Sequence, residues 1–242
     1  MHNTPRVAAV IPAAGNGSRM RLAAPKQYLQ LAGKTVLEHS VAAMAADPRI
    51  QAIYIVTPAH DEQLEPLKFA VPCPVYFVTG GATRAASVFN GVRQAHQDGF
   101  DVVAVHDAAR PCLQADELAQ VINEGIAHAD GALLALPVAD TLKRADTLSE
   151  SEPQKVLSSV SREQLWRALT PQVFRTEQLL TALTQLGVDN VAITDEASAI
   201  ELVGGRPILV VGRQTNLKIT QPGDEGIAEL FLTAFKQERS CE

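Results

Sequence analysis

The 242-residue chain has little that would suit it to sulfur chemistry, to a membrane or to a polyanionic partner. Its three cysteines, Cys73, Cys112 and Cys241, stand far apart without C-x-x-C or Cys/His ligand spacing, which excludes a disulfide framework and a zinc site. The six histidines are scattered as well, so no protein-held metal is expected. Basic residues number 21 against 27 acidic, a net charge of −6, which argues against nucleic acid or an anionic membrane as a general partner. No stretch approaches the ~18 apolar residues of a membrane span, and the opening M-H-N-T-P-R runs into a strand without an apolar signal core. A reduced, cytoplasmic setting is the expectation. Three familiar signatures are missing too. There is no G-x-x-x-x-G-K-[ST] phosphate loop and no G-x-S-x-G nucleophile turn; a dinucleotide fingerprint fails because Met20 occupies the third small position and Val56 and Thr57 stand where an acid should end the second strand.

What is present is a hydrophobic content of 46%, enough for a buried core, in a length that fits one large domain, residues 1–242. Strand-like runs recur at Val7–Ile11, Ala52–Val56, Val75–Val78, Val102–Val105, Ala132–Leu136 and Ile208–Val211. Each is nearly continuous in apolar residues, the pattern of strands covered on both faces in a mainly parallel sheet. Helical stripes lie between them: Leu37, Val41 and Met44; Ala85, Val88 and Val92; Leu118, Val121 and Ile122; Ile227, Leu230 and Phe231. Thr220 before Pro222 reads as a capped start for the last helix. Alternation of strand and helix implies a three-layer α/β domain whose ligands gather beyond the carboxyl ends of the strands. Residues 138–160 break the pattern. Apolar residues are sparse there, and two short extended pieces flank S-E-S-E-P-Q. This segment is expected to be an arm whose Val156, Leu157 and Val160 need a second subunit to cover them, a mobile surface loop being the plainer alternative.

Chemistry-bearing residues follow the strand ends. After the first strand come Ala13, Ala14 and Gly15, then the cations Arg19, Arg21 and Lys26, which suit an anion-binding loop although a glycine-rich turn is often only a turn. After the third run, Gly80 and Gly81 precede Ser87, a niche for a flat ring or an ordinary helix start. After the fourth, H-D-A-A-R-P projects Asp107 and Arg110 from a buried strand terminus; a structural ion pair is the competing account. Thr141, Arg162, Thr170, Asp195, Glu196 and Lys218 complete the set, each alone compatible with a cap or a solvated loop position. Cations, amides and one or two acids, without a nucleophile, fit phosphoryl or nucleotidyl transfer, in which positioning and charge neutralisation supply most of the rate.

In this order, P-A-A-G-x-G-x-R-M, P-K-Q-Y, G-G-x-x-R-x-x-S-V, H-D-A-A-R-P, D-T-x-K-R, L-W-x-A-L-T-P-Q, T-D-E-A-S and N-x-K-I-T, the motifs resemble the 2-C-methyl-D-erythritol 4-phosphate cytidylyltransferase family over essentially the whole chain. The resemblance implies a Rossmann-like nucleotidyltransferase fold, a homodimer joined by exchanged β-arms, and Mg²⁺-dependent transfer from CTP, the ion being held mainly by the CTP phosphates. It assigns Ala13, Ala14, Gly15, Arg19, Lys26, Gly81, Ala82 and Ser87 to CTP, and Asp107, Arg110, Thr141, Arg162, Thr170 and Lys218 to methylerythritol phosphate. Arg19, Lys26, Arg162 and Lys218 would be the catalytic cations. Ser18 and Ala82 depart from residues that some relatives carry, a basic residue and an acid. A ribitol 5-phosphate cytidylyltransferase is the neighbouring alternative, disfavoured by T-D-E-A-S; a nicotinamide oxidoreductase and a non-catalytic nucleotide-binding protein fit the missing fingerprint and the cations less well.

Overall fold

The computed structural model describes residues 4–15, 25–64, 66–146 and 153–240, with side chains as far as residue 237. The first strand, β1 (Val7–Pro12), is buried through Ile11. A 3₁₀ turn at Lys26–Tyr28 and the short pair β2 (Gln30–Leu31) and β3 (Lys34–Thr35) lead into α1 (Val36–Met44). A T-x-x-E box sets that start: the Thr35 hydroxyl accepts from the Glu38 N–H at 3.1 Å, and the Glu38 carboxylate accepts the Thr35 N–H at 2.7 Å. There follow β4 (Ile50–Thr57), β5 (Val75–Thr79), α2 (Arg84–Gln97), β6 (Val102–Val105), α3 (Ala115–Ala127) and β7 (Ala132–Pro137). Next come β8 (Leu142–Ala145), β9 (Val156–Val160), β10 (Trp166–Arg175), α4 (Thr176–Leu186), α5 (Glu196–Leu202), β11 (Ile208–Val211) and α6 (Asp224–Ser240).

Seven strands form one sheet in the order β11-β7-β10-β6-β1-β4-β5. β1 pairs in parallel with β4 and β6, β4 with β5, and β7 with β11; β10 alone runs antiparallel, between β6 and β7. The chain leaves β1 toward β4 and β5 and returns to its other side at β6. A crevice opens beyond the strand ends at such a reversal. The six strands expected from buried runs are all found. β10 is additional, since W-R-A-L-T-P-Q-V-F-R interrupts its apolar residues with Arg167, Thr170 and Gln172.

One face of the sheet is covered by α1 and α3 through Leu37, Val41, Met44, Leu118, Val121 and Ile122. The other is covered by α2, α4 and α5 through Val88, Val92, Leu179, Leu183 and Ile200. Each such side chain contributes about 1.5–3 kcal/mol of transfer free energy. Gly91 sets the approach of α2, because a Cβ there would lie 2.6 Å from Val10 Cγ1 and 2.8 Å from Val56 Cγ2. α6 closes a smaller cluster around Leu31, Val36 and Ile219. Its start corrects the Thr220 expectation: the Asp224 carboxylate accepts from the N–H groups of Thr220 and Gln221, both at 2.8 Å, so the acid inside the helix organises the turn.

β8 and β9 make a separate antiparallel sheet, Leu142 opposite Val160 and Arg144 opposite Ser158. The two extended pieces expected in 138–160 are therefore paired; residues 147–152 lie outside the described ones. Val156 and Leu157 are 63% and 62% exposed, unlike the aliphatic residues of β1, β4, β6 and β7.

Candidate active site

A cleft of about 300 Å³ opens at the carboxyl edge where the chain reverses, bounded by the ends of β1 and β6, the turn before α2, and residues Lys218 and Thr220. Ten of the residues singled out from sequence lie within the described chain on or beside it. Ala13, Ala14, Gly15, Lys26, Gly81, Ala82, Ser87, Asp107 and Lys218 line the cleft directly; Arg110 stands behind Asp107. Arg19 lies outside the described residues. Thr141 and Arg162 belong to the exposed hairpin region and do not line the cleft of their own chain, the Arg162 guanidinium donating to the Ala139 carbonyl. Among the described lining residues, Lys26, Arg84 and Lys218 face a single carboxylate, Asp107, so a locally positive site sits on a chain of net charge −6.

The loop after β1 is held from behind. The Gln27 amide, buried, donates to the carbonyls of Ala13 at 2.8 Å and Gly15 at 3.4 Å. Across a trans peptide the next N–H points the opposite way, so the grip on the Ala13 carbonyl turns the Ala14 N–H away from Gln27. The Ala13 N–H itself continues the sheet to the Val56 carbonyl at 2.7 Å, so the cradle begins at Ala14. Lys26 Nζ donates to the Ile219 carbonyl at 2.8 Å, which brings the first loop against the segment that carries Lys218.

The turn before α2 explains its glycines. A Cβ on Gly80 would lie 2.8 Å from that of Ala14, and one on Gly81 2.4 Å from that of Ala86. Thr83 caps α2, its hydroxyl accepting from the Ala86 N–H at 3.0 Å. Ser87 is therefore one turn inside the helix instead of opening it. Its buried hydroxyl accepts from the Gly81 N–H at 3.1 Å and lies 3.0 Å from the Thr83 carbonyl, to which it donates.

Asp107 is the electrostatic centre. Its Oδ1 takes Arg84 Nη2 at 3.2 Å, and its Oδ2 takes Lys218 Nζ at 2.9 Å and Arg110 Nε at 3.3 Å. Burial alone would raise its pKa, but Arg84, Lys218 and Arg110 hold it well below the usual carboxylate range. The two-charge pair considered from sequence is thus a four-member cluster. Behind it, the Asp107 N–H donates to Thr170 Oγ1 at 3.0 Å, leaving the hydroxyl proton for His106 Nδ1, also at 3.0 Å. His106 Nε2 then carries the ring proton and donates to the Arg110 carbonyl at 3.0 Å. Burial lowers the His106 pKa to about 4, so the ring is neutral. Arg110 Nη1 donates to the Asn216 carbonyl at 2.8 Å, and Asn216 Nδ2 to the Thr170 carbonyl at 2.9 Å.

Two residues with no role read from sequence, Gln27 and Arg84, belong to this site, as does Glu196, which sequence placed in the set without a task. Gln27 sat in plain view in P-K-Q-Y, where a polar residue between Lys26 and Tyr28 signals a loop contact. Arg84 lies in G-G-x-x-R, immediately after the turn. Glu196 on its own read as a cap; a second acid beside the capping Asp195, ahead of the apolar A-S-A-I, was its available signal. The Arg84 guanidinium forks onto Glu196, Nη1 to Oε1 at 2.6 Å and Nη2 to Oε2 at 3.2 Å. Burial raises the Glu196 pKa, and Arg84 opposes that rise.

A mainly parallel sheet with one reversed strand, a small-residue loop after its first strand and cations gathered at the point of reversal make this a protein of the nucleotidyltransferase class. A family model described as IspD, 2-C-methyl-D-erythritol 4-phosphate cytidylyltransferase, matches residues 7–234, and the chain belongs to that family. The 2-C-methyl-D-erythritol 4-phosphate cytidylyltransferase of Idiomarina loihiensis is 48% identical over 219 residues, covering 89% of this chain and 87% of that one. The protein of that name from Yersinia pestis strain Pestoides F is 45% identical, covering 95% and 92%. A solved 4-diphosphocytidyl-2C-methyl-D-erythritol synthase superposes with a TM-score of 0.81 at 38% identity, over 95% of this chain and 100% of that one. The Francisella tularensis cytidylyltransferase gives 0.77 at 31% identity, over 93% and 99%. Among the described residues no helix is long and apolar enough to cross a membrane.

Proposed function

We propose that this chain transfers the cytidylyl group of CTP to the phosphate of 2-C-methyl-D-erythritol 4-phosphate, giving 4-diphosphocytidyl-2-C-methyl-D-erythritol and pyrophosphate. The observation that carries the reading is the gathering of Lys26, Arg84 and Lys218 around one cleft of a net-negative chain whose family membership names the reaction. A phosphate oxygen of the acceptor attacks the α-phosphorus of CTP. The bond from that phosphorus to the bridging oxygen breaks, and pyrophosphate leaves with the electron pair. The acceptor phosphate has a second pKa near ~6 and is already largely dianionic at neutral pH, so no general base is required. The site agrees with that economy. His106 is neutral with both ring nitrogens hydrogen-bonded, and Asp107 is held ionised by three cations.

What must be overcome is repulsion between two anions. Lys26 and Arg19 neutralise the triphosphate and the charge that builds on the leaving pyrophosphate. The Ala14 and Gly15 backbone, beside Ala13, cradles ribose and phosphates. Gly81, Ala82 and Ser87 form the cytosine niche; because the Ser87 hydroxyl is engaged with Gly81 and Thr83, it acts by shaping the turn. Asp107 and Lys218 face the acceptor, with Arg110 and Thr170 fixing Asp107 from behind. Thr141 and Arg162 reach the acceptor of a neighbouring subunit in a homodimer formed through residues 138–160, a reading supported by the exposure of Val156 and Leu157.

The residues present fit Mg²⁺ in one way only. The one carboxylate among the described lining residues, Asp107, already carries three cations and makes no cage of its own, so the ion would be held mainly by the nucleotide's phosphates. Bound there, it would supply further charge neutralisation. Cytoplasmic residence is part of the proposal, supported by the free thiols Cys73 and Cys112. The test is pyrophosphate release from four mixtures, methylerythritol phosphate or ribitol phosphate with CTP or UTP. Turnover confined to methylerythritol phosphate with CTP is expected; turnover only with ribitol phosphate would overturn the assignment.

A further inference from the structure

Glu196 is a carboxylate with 2% of its side chain exposed, and the transfer described above makes no use of it. Arg84, which grips both of its oxygens, also donates from Nη2 to Asp107 Oδ1 at 3.2 Å. One guanidinium at the start of α2 therefore joins an acid on α5 to the acid that follows β6. An ionised carboxylate offers about four lone-pair positions. On Asp107, Lys218 and Arg110 occupy the Oδ2 side and Arg84 takes one position on Oδ1, which leaves one on Oδ1 for a substrate hydroxyl. Loss of Arg84 from Oδ1 would free the carboxylate to turn toward Lys218 and consume that position. The Arg84 side chain is a third exposed and lines the cleft, so the direction of its guanidinium depends on the anchor behind it. A bidentate fork supplies that anchor in a way a single point contact does not.

We propose that Glu196 and Arg84 form a positioning pair, in which Glu196 fixes the guanidinium against Oδ1 of Asp107 and thereby keeps one lone pair of that carboxylate aimed at a hydroxyl of the acceptor. The inference rests on the reading that Asp107 faces the acceptor. It divides T-D-E-A-S into two tasks. Asp195 starts α5, its Oδ1 accepting from the Ser198 N–H at 2.9 Å, while Glu196 reaches across to the site. The acid is retained inside the protein because a remote part of the cleft needs its partner held still.

Steady-state kinetics on Glu196→Gln and Arg84→Lys decide the matter, with CTP and methylerythritol phosphate varied separately. In each variant the acceptor KM should rise about tenfold, the worth of one charge-assisted hydrogen bond, while the CTP KM changes by no more than about twofold. Methylguanidinium added to Arg84→Ala should lower the acceptor KM again, which a purely structural role would not allow. An unchanged acceptor KM, or an equal rise in both KM values, overturns the proposal. If Glu196→Gln does not fold, Arg84→Lys carries the same comparison; failure of both to fold overturns it, since the pair would then serve the fold and not the aim. The unaltered protein is the control that separates the two readings. No turnover from it refutes the reaction, whereas normal turnover with unaffected variants refutes only the pair.

Discussion

The acid side of the cleft and the hairpin of β8 and β9 are built in opposite ways. Around Asp107 the partners all come from one chain: three cations on its oxygens, with one lone pair of Oδ1 left open, the Thr170 hydroxyl beneath its N–H, and a neutral His106 behind that hydroxyl. The hairpin shows its apolar residues to solvent, with Val156 and Leu157 both more than three-fifths exposed. A buried polar cluster is expensive unless its groups are paired, so the first region arrives largely preorganised; the second leaves apolar surface in solvent, where the proposed dimer would cover it. The difference teaches where completion lies. The cluster around Asp107 is built within one chain, whereas on the proposed reading Thr141 and Arg162 act only through a second.

The sharpest way to break this contrast is within the preorganised half. Lys26→Ala should cost about 3 kcal/mol of transition-state stabilisation, or 10²–10³ in kcat, with the melting temperature held. Full activity in that variant would remove Lys26 from the chemistry. The next largest effect concerns His106. Its folded pKa of about 4 lies below the ~6.5 of an unfolded histidine, so between those values the unfolded chain binds the proton and the folded one refuses it. Stability therefore falls as pH drops through that window, by ~3 kcal/mol over its full width. Urea unfolding at several pH values should show a shallower decline for His106→Gln than for the unaltered chain; parallel declines would contradict the buried, neutral assignment.

Smaller effects test the exposed half. Mixing Lys26→Ala with Arg162→Ala chains should restore about a quarter of the sites if arms cross a two-fold interface, because half of the dimers are mixed and each has one intact site. Activity no greater than that of the separate variants would keep Arg162 within its own subunit. Last, Leu157→Ser should change unfolding of the isolated chain by less than about 0.5 kcal/mol. In sedimentation it should nonetheless weaken self-association, and an unaltered profile would leave the hairpin without that role.

Much of this was legible from residue order. Continuous apolar runs betray strands, and all six appear in the sheet; β1, β4, β6 and β7 are buried as expected, whereas β5 and β11, at its two edges, leave Phe77 and Val211 more than half exposed. β10 was hidden because Thr170 and Gln172, polar by type, are buried to serve as hydrogen-bond partners: Thr170 to Asp107 and His106, Gln172 to Asp195 at 2.8 Å and to the Ala197 N–H at 2.8 Å. α4 carried an ordinary stripe, Leu179 and Leu183, within reach of spacing arguments. At the site, motif order brought together the loop, the turn and Asp107. It did not reveal that Gln27 aims the loop or that Arg84 joins two acids, because a hydrogen bond between residues 112 positions apart leaves no periodic trace.

The reversed direction of β10 has one further consequence. Its first residue, Trp166, leaves the hairpin region, and four residues on the same strand reaches Thr170, a span of roughly 13 Å at the rise of an extended chain. Its first three residues, Trp166–Ala168, pair with β7 alone; the register then breaks, and from Gln172 onward the strand is held by β6 as well. The hydroxyl on which the central acid rests thus lies a short covalent path from the hairpin, at the one break in the strand's ladder.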